Sequence, residues 1–427
     1  MTPQSNFMIA APIIPERQDA LRALLETMNL RPGVVDPHNT LFPFGRFEQL
    51  HVARVVILKD ETLGDLPPED SLPNAPVRLA FLGDCDGEAE ALLAQFVAQA
   101  GDGLRQIFWH CEGFSSDVDL LGWMRQHSLT PAAQYVNWVG RTVRQIREEA
   151  ALRAAFQAYL ARHPAAFDGQ RPSKIRDWLI TVYQVEGPTQ TPPARTPLGW
   201  RVRHLLNLVG LPVALLLLFP FLLIYAPVFL WILRRREKTD PVITPPPSKA
   251  HVDALSLIED HDVTNQFSAF GSVKPGLFRR WTLVFIFWVL DFSTHHIYTR
   301  GRLARVNTIH FARWVFTDDK RRLFFGSNYD GSLDSYMDDF INKVAFGVNL
   351  VFGNGLGFPR TKFLLFGGIK NELPYKRYLR RHQLPTQVWY KAYPGLTAAD
   401  LARNTMIRKG LEGRMTDDQA RQWLALL

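Results

Sequence analysis

The chain has 427 residues, 47% of them hydrophobic and 12% aromatic, with a formal net charge of +8. This length leads us to expect two domains, each able to bury its own core. The basic balance suits anionic lipid or nucleic acid; no zinc finger, recognition-helix signature or aromatic RNA-binding motif is present, so nucleic acid is not the expected partner.

The two cysteines, Cys85 and Cys111, form no Cys-x-x-Cys pair, and a reduced compartment without a disulfide framework is expected. The N-terminus carries no basic region followed by an apolar run, so no cleaved signal is expected. There is no P-loop, Rossmann glycine pattern, His-Glu-x-x-His or nucleophile elbow, which disfavours NTPase, simple dehydrogenase, zincin and α/β-hydrolase readings.

In chain order, residues 7–14 read as a strand and 17–28 as a helix with Leu21, Leu24 and Leu25 on one face. Residues 51–58 are rich in β-formers and a short strand follows at 77–83. Asp86-Gly87 then opens a helix at 88–100, with a final strand near 104–109. Residues 142–185 read as surface helices with Trp178, Leu179 and Val182 on the apolar face. Gly187–Pro193 is a proline-rich linker.

Residues 205–233 carry no charge, enough for one helix across a hydrocarbon core of about 30 Å. Pro212, Pro220 and Pro227 interrupt the run, and an interior proline removes a helical hydrogen bond. Arg201 and Arg203 precede it and Arg234, Arg235 and Arg236 follow, which favours keeping both ends on the cytoplasmic side. A membrane-inserted hairpin bent near Pro220 meets both constraints; a single-pass helix is the alternative. After the Pro245–Pro247 linker, 267–273 reads as a strand. Trp281–Phe292, roughly 18 Å long as a helix, is too short to cross. It is expected to lie on lipid or on the hairpin, with burial on all sides as the alternative. His295-His296 then read as a polar interfacial cap. Further strands are expected at 310–317, 321–326 and 348–352, helix at 332–346, and a capped helix at 416–427.

The second half repeats the first. Phe81-Leu-Gly-Asp-Cys-Asp-Gly87 aligns with Phe325-Gly-Ser-Asn-Tyr-Asp-Gly331, and without a gap Phe96 falls on Phe340 and Gly113-Phe114 on Gly357-Phe358. Upstream, His51-Val-Ala-Arg54 matches His310-Phe-Ala-Arg313, and Phe7 and Pro15 match Phe267 and Pro275. Downstream, Arg125-Gln-His-Ser-Leu129 matches Arg380-Arg-His-Gln-Leu384, and Tyr135, Trp138 and Gly140 fall on Tyr390, Tyr393 and Gly395. Ordered matches at fixed spacing mark a tandem repeat. The organisation expected is a first repeat at 1–153, a helical insertion and linker at 154–200, the membrane-inserted segment at 201–238, a linker at 239–264, a second repeat at 265–410 and a C-terminal helix at 411–427. Each copy reads β-α-β-β-α-β. The pattern resembles the ferredoxin-like, dimeric α+β-barrel superfamily fused into one chain, which implies an α+β fold with both repeats in one pseudo-two-fold barrel.

The constellation with the most chemistry is His310, Arg313, Asp330 and His382, with counterparts His51, Arg54, Asp86 and His127. A histidine can serve as base, acid or axial haem ligand, and an arginine can polarise a bound peroxide or hold a carboxylate. His310 and Arg313 lie three apart, so in a strand they face opposite sides. The competing reading makes His-x-Ala-Arg an interface element and Asp-Gly a turn and N-cap. Asn328, Tyr329, Arg360 and Tyr390 add polar and aromatic groups to the second repeat, so any chemistry is expected there, with His310 and Arg360 holding a cofactor. Tyr390 with Trp389 and Tyr393 is otherwise a core cluster. Gly83-Asp-Cys-Asp-Gly87 fits the Gly-x-x-Asp-Gly motif of dye-decolourising peroxidases, haem enzymes built from two ferredoxin-like halves; Ser327 replaces the first glycine in the second copy. That similarity implies haem. Two functions are therefore expected as alternatives: a membrane-associated oxidoreductase of haem-peroxidase or monooxygenase type acting on a lipophilic small molecule, or a non-catalytic protein binding lipid or a partner at the membrane surface. Membrane lipid is the expected partner in both, and a homo-oligomer is compatible with either.

Overall fold

The computed structural model describes residues 1–65, 75–192 and 194–427; Pro193 of the first linker lies outside them. Eight strands build the two main sheets of a mixed α+β fold. In the first half these are β1 (Gln4–Pro12), β2 (Leu50–Leu58), β3 (Arg78–Asp86) and β4 (Ala133–Val136). In the second they are β5 (Thr264–Ser272), β6 (Ile309–Thr317), β7 (Arg322–Asp330) and β8 (Thr386–Lys391). One antiparallel sheet has the order β1-β3-β2-β8 and the other β4-β6-β7-β5. Each half therefore gives its last strand to the other half's sheet. The registers agree: Tyr390 sits opposite Ala53, which faces Gly83, while Tyr135 sits opposite Ala312, which faces Ser327.

The strands alternate apolar side chains on both faces because both faces are covered. Outward, Phe7, Ile9, Val55 and Phe81 pack under α1 (Gln18–Glu26), α2 (Ala89–Phe108) and α3 (Leu120–Gln126). Inward, Met8, Val56 and Leu82 meet Phe270, Val315 and Phe324 of the facing sheet. After the exchanged strand β4 the chain forms α4 (Val143–Arg162) and α5 (Pro172–Glu186), then α6 (Leu198–Thr239) and α7 (Lys249–Ser256). The second sheet is covered by α8 (Leu277–His296), α9 (Leu333–Lys343), α10 (Ala345–Phe352) and α11 (Glu372–His382). The final helices are α12 (Ala398–Lys409) and α13 (Asp417–Leu424), the latter capped by Thr416 and Gln419 as the tail sequence suggests. Leu152, Phe156, Leu179, Ile407 and Trp423 join α4, α5, α12 and α13 in one small core.

Two sequence expectations are corrected. The segments near 104–109 and 348–352 are helical: Leu104, Ile107 and Phe108 are buried at helical spacing, and a short apolar run alone does not distinguish strand from helix. The fourth strands are β4 and β8. The charge-free run is not a hairpin either. All of Leu198–Thr239 is one helix containing Pro212, Pro220 and Pro227, about 63 Å long at 1.5 Å per residue. Each proline removes only one hydrogen bond, a loss that apolar helices tolerate.

The halves are locked by a reciprocal pair of buried arginines. Arg54 donates to the carbonyls of Phe267 (2.7 Å) and Ser327 (2.9 Å). Arg313 donates to those of Phe7 (2.8 Å) and Gly83 (2.9 Å), the equivalent positions across the interface. Burial, then the facing Arg313 charge, lowers the Arg54 pKa to about 9. Asp84, ion-paired with Arg313 and also acting electrostatically on Arg54, offsets this cost. We expect Asp84→Asn to destabilise the chain by about 3 kcal/mol, because two buried guanidinium charges lose their carboxylate. The exposed pair Arg144–Glu48 is the control: Glu48→Gln should change stability by less than about 0.5 kcal/mol. Denaturant titration of both variants is the check, and equal midpoints would remove the arginine lock from the account.

Candidate functional site

The two histidines of the repeated motif sit at matching places. His51 on β2 donates from Nε2 to Asp86 at the end of β3 (2.9 Å), and His310 on β6 donates from Nε2 to Asp330 at the end of β7 (2.7 Å). The second oxygen of each aspartate accepts a backbone N–H from the first turn of the helix that follows the exchanged strand, from Val143 of α4 (2.8 Å) and from Ala398 of α12 (2.7 Å). Gly87 and Gly331, with φ of 78° and 85°, turn the chain immediately after each aspartate. The Asp-Gly pairs are thus turns, as one reading of the sequence has it, but their carboxylates secure a helix more than fifty residues further on. Both histidines are almost fully buried.

The other residues singled out by the sequence do not converge on His310. Arg313 points between the sheets. Thr264 lies against His310, and the backbone of Gly271 lies against His382, so the two imidazoles are separated by seven residues of β5, roughly 23 Å. His382 Nδ1 donates to the Tyr378 carbonyl (2.8 Å), as His127 does to Trp123 (2.9 Å). Tyr390 stacks on Phe44 in the first half's core. Arg360 is exposed in a loop before the short ribbon Thr361–Gly367. Asn328 meets Arg54, and the Tyr329 ring stacks on Tyr336.

These positions do not fit a haem. Nε2 of His51 and of His310 is occupied by a carboxylate, and Nδ1 of His51 lies 3.2 Å from the Tyr393 hydroxyl. The space between the sheets beside Arg54 and Arg313 is about 10 Å³, far below the volume of a small-ligand pocket. Among the described residues, no three of His, Cys, Asp and Glu converge as a metal-binding group. Cys85 and Cys111 are buried free thiols whose pKa burial pushes up to about 12, so neither is a reactive thiolate. No protein-family model, curated protein or solved structure matches this chain.

What the sequence leaves unjoined, the structure brings together on α6 and α8. The two helices run antiparallel. Phe229 packs on Phe278 near one end of α8, and Asn207 meets His296 (2.9 Å) at the other. The C-terminal end of α6 is held firmly: buried Glu237 accepts from Thr361 Oγ1 and from the Phe363 and Leu364 N–H groups, each at 2.8 Å. Asp240 pairs with Lys274 (2.9 Å) and with Arg279. Between its ends α6 turns Leu216, Phe221, Ile224 and Trp231 outward, each more than 60% exposed. On α8, Leu283 and Phe287 face the sheet, while Leu277, Trp281, Phe285 and Trp288 form an exposed stripe. The tip of the 361–367 ribbon adds exposed Leu365 and Phe366.

Where the edges of β1 and β4 part, the structure leaves a cavity of about 540 Å³. Asn6 and Gln134 line it from the strands, Arg203 and His204 from the start of α6, and His295 and His296 from the end of α8. The His204 and His296 rings lie 4.5 Å apart, and Trp200 stacks on His204 at 4.7 Å. His295 donates from Nδ1 to the Asp291 carbonyl (2.7 Å), and Gln134 Nε2 lies 3.3 Å from its Nε2. Burial opposes the charged form of His295, but the Asp291 hydrogen bonds and charge outweigh it and raise its pKa. Burial, then neighbouring imidazoles, lowers those of His204 and His296. The sequence isolates His295-His296 as a cap and passes over His204, since their proximity arises from the antiparallel packing of α6.

Burial alone would raise the Asp330 pKa, but the His310 interaction, the Ala398 N–H and the Thr264 hydroxyl hold it below the usual carboxyl value. Its contribution to stability is therefore complete above the usual carboxyl pKa and lost as pH falls through the lower folded value. His310→Ala should cost about 2–3 kcal/mol at neutral pH, by leaving a buried carboxylate short of a partner, and should shrink this acid loss. Denaturation followed from about pH 6 down to about pH 2, a range that spans the usual carboxyl pKa and the lower folded value, tests it. An unchanged midpoint and an unchanged acid limb would contradict a clamping role.

Proposed function

We propose that this chain is a membrane-surface protein that binds lipid, built from two ferredoxin-like repeats in one barrel and immersed by α6 and α8 in the cytoplasmic leaflet. The observation that carries the proposal is a helix of membrane-crossing length and composition, both of whose ends are fastened to the same folded body. Such a helix lies along the body instead of leaving it, and its charge-free stretch then has lipid as its natural solvent. Trp281 and Trp288 on the α8 stripe suit the interfacial zone, where amphipathic rings collect. Arg201, Arg203 and Arg234–Arg236 flank the apolar stretch at headgroup level, where each basic residue adds about 1 kcal/mol of attraction to an anionic surface. The positive-inside tendency assigns that surface to the cytoplasmic side. The exchanged strands support the ferredoxin-like reading, because sheet-to-sheet joining of two such units is what the tandem repeat implies.

The test is sedimentation of the purified chain with vesicles of neutral and of anionic lipid. We expect binding to both, tighter to anionic vesicles, and at least about tenfold weaker binding for the triple variant Trp281→Ser, Phe285→Ser, Trp288→Ser. Vesicle binding that is absent, or that ignores the triple substitution, would refute the reading.

A further inference from the structure

We infer that the cavity between β1, β4 and the ends of α6 and α8 is a binding site for the zwitterionic head of an amino-phospholipid, phosphate toward α6 and amine toward the turn at residues 87–90. The inference rests on the membrane-surface reading for its lipid source and on the cavity's own chemistry for the headgroup. At about 540 Å³ the space falls in the ordinary range for small-ligand sites. The start of α6 and the end of α8, the two helices that carry the apolar face, form part of its lining, which sets the cavity beside that face.

Its lining charges are separated. Arg203 and His204 stand on α6, and among the described residues no carboxylate pairs with Arg203. Glu88 and Glu90 line the cavity at the start of α2; Glu90 is bound by Arg125, and Glu88 has no basic partner among the described residues. Asp291 is already committed to His295. A ligand carrying both charges satisfies Arg203 and Glu88 together, whereas a simple anion leaves Glu88 facing a negative group. Arg203 and Glu88 are both solvent-exposed, and the charge-assisted hydrogen bonds they offer a ligand are stronger than neutral ones. Burial favours the neutral forms of His204 and His296, which leaves imidazole nitrogens for hydrogen bonding there.

The pseudo-symmetric place in the other half shows what a closed version looks like. Lys391 occupies the position of Val136, and its ammonium donates to Thr264 (2.6 Å) and the Leu396 carbonyl (2.8 Å) while pairing with Asp262. One cleft is filled by the protein's own amine; the other is left open beside an acidic residue.

The experiment is calorimetric titration of the full chain with short-chain phosphatidylethanolamine below its micelle concentration, with short-chain phosphatidylglycerol and free phosphoethanolamine as comparison ligands. Because these ligands form no bilayer, the result stands apart from vesicle binding. We expect the ethanolamine lipid to bind best. Arg203→Gln should weaken it by about tenfold, and Glu88→Gln should abolish the preference over the glycerol lipid while retaining binding. Free phosphoethanolamine binding as tightly as the lipid would overturn the lipid assignment. Absence of binding, equal binding of the two lipids by the unaltered chain, or insensitivity to Arg203→Gln in a folded variant would overturn the site.

Discussion

The exchange of β4 and β8 between the two sheets is the constraint on which the rest of the molecule depends. Each sheet is completed by a strand from the opposite half, so neither half has its full set of ladder hydrogen bonds alone. The segment joining the halves must leave one sheet and return to its neighbour within a single body. That requirement fixes both ends of α6 and converts a sequence long enough to cross a bilayer into a strap along α8.

Around this exchange the molecule is symmetric in its polar framework and asymmetric at its surface. The His–Asp clamps on α4 and α12 and the reciprocal Arg54 and Arg313 bonds are duplicated nearly residue for residue. They hold helices and sheets in place and are sealed from solvent. Among the described residues the exposed α6 and α8 face has no duplicate in the other half, and the position matching Val136 in the open cleft is taken by Lys391. The duplicated groups thus account for architecture, and the departures from symmetry are where the proposed lipid-binding features lie.

Much of the framework is legible in the sequence. The repeat shows because His51, Arg54 and Asp86 perform the same buried tasks as His310, Arg313 and Asp330, and such tasks need the same residue types at the same spacing. The exchanged strands are harder to see. Ala133–Val136 is only four residues long, its partner lies in the other half, and the apolar run at 104–109 offers a nearer but incorrect strand. The continuous α6 is hidden by a local rule: three prolines argue for a break, while packing along α8 and capture of Glu237 and Asp240 favour one continuous helix. The cavity cannot be read at all without that packing, since His204 and His296 are separated by ninety-two positions and meet only because the helices run antiparallel. The histidine and arginine motif attracts a catalytic reading from its composition; in the structure His51 and His310 are buried and bonded to Asp86 and Asp330, and Arg54 and Arg313 to backbone carbonyls of the opposite half.

The claim that both ends of α6 lie on one side of the membrane is tested most directly by single cysteines at Thr191 and Thr244, which bracket the helix, in sealed vesicles bearing the chain. Cys85 and Cys111 are buried with strongly raised thiol pKa values, so a membrane-impermeant maleimide reports the introduced sites. Both positions should label from the same side, at similar rates, before the vesicles are opened. Labelling of one from outside and the other only after lysis would mean that α6 crosses the bilayer, and would contradict the fastening of its two ends to a single body.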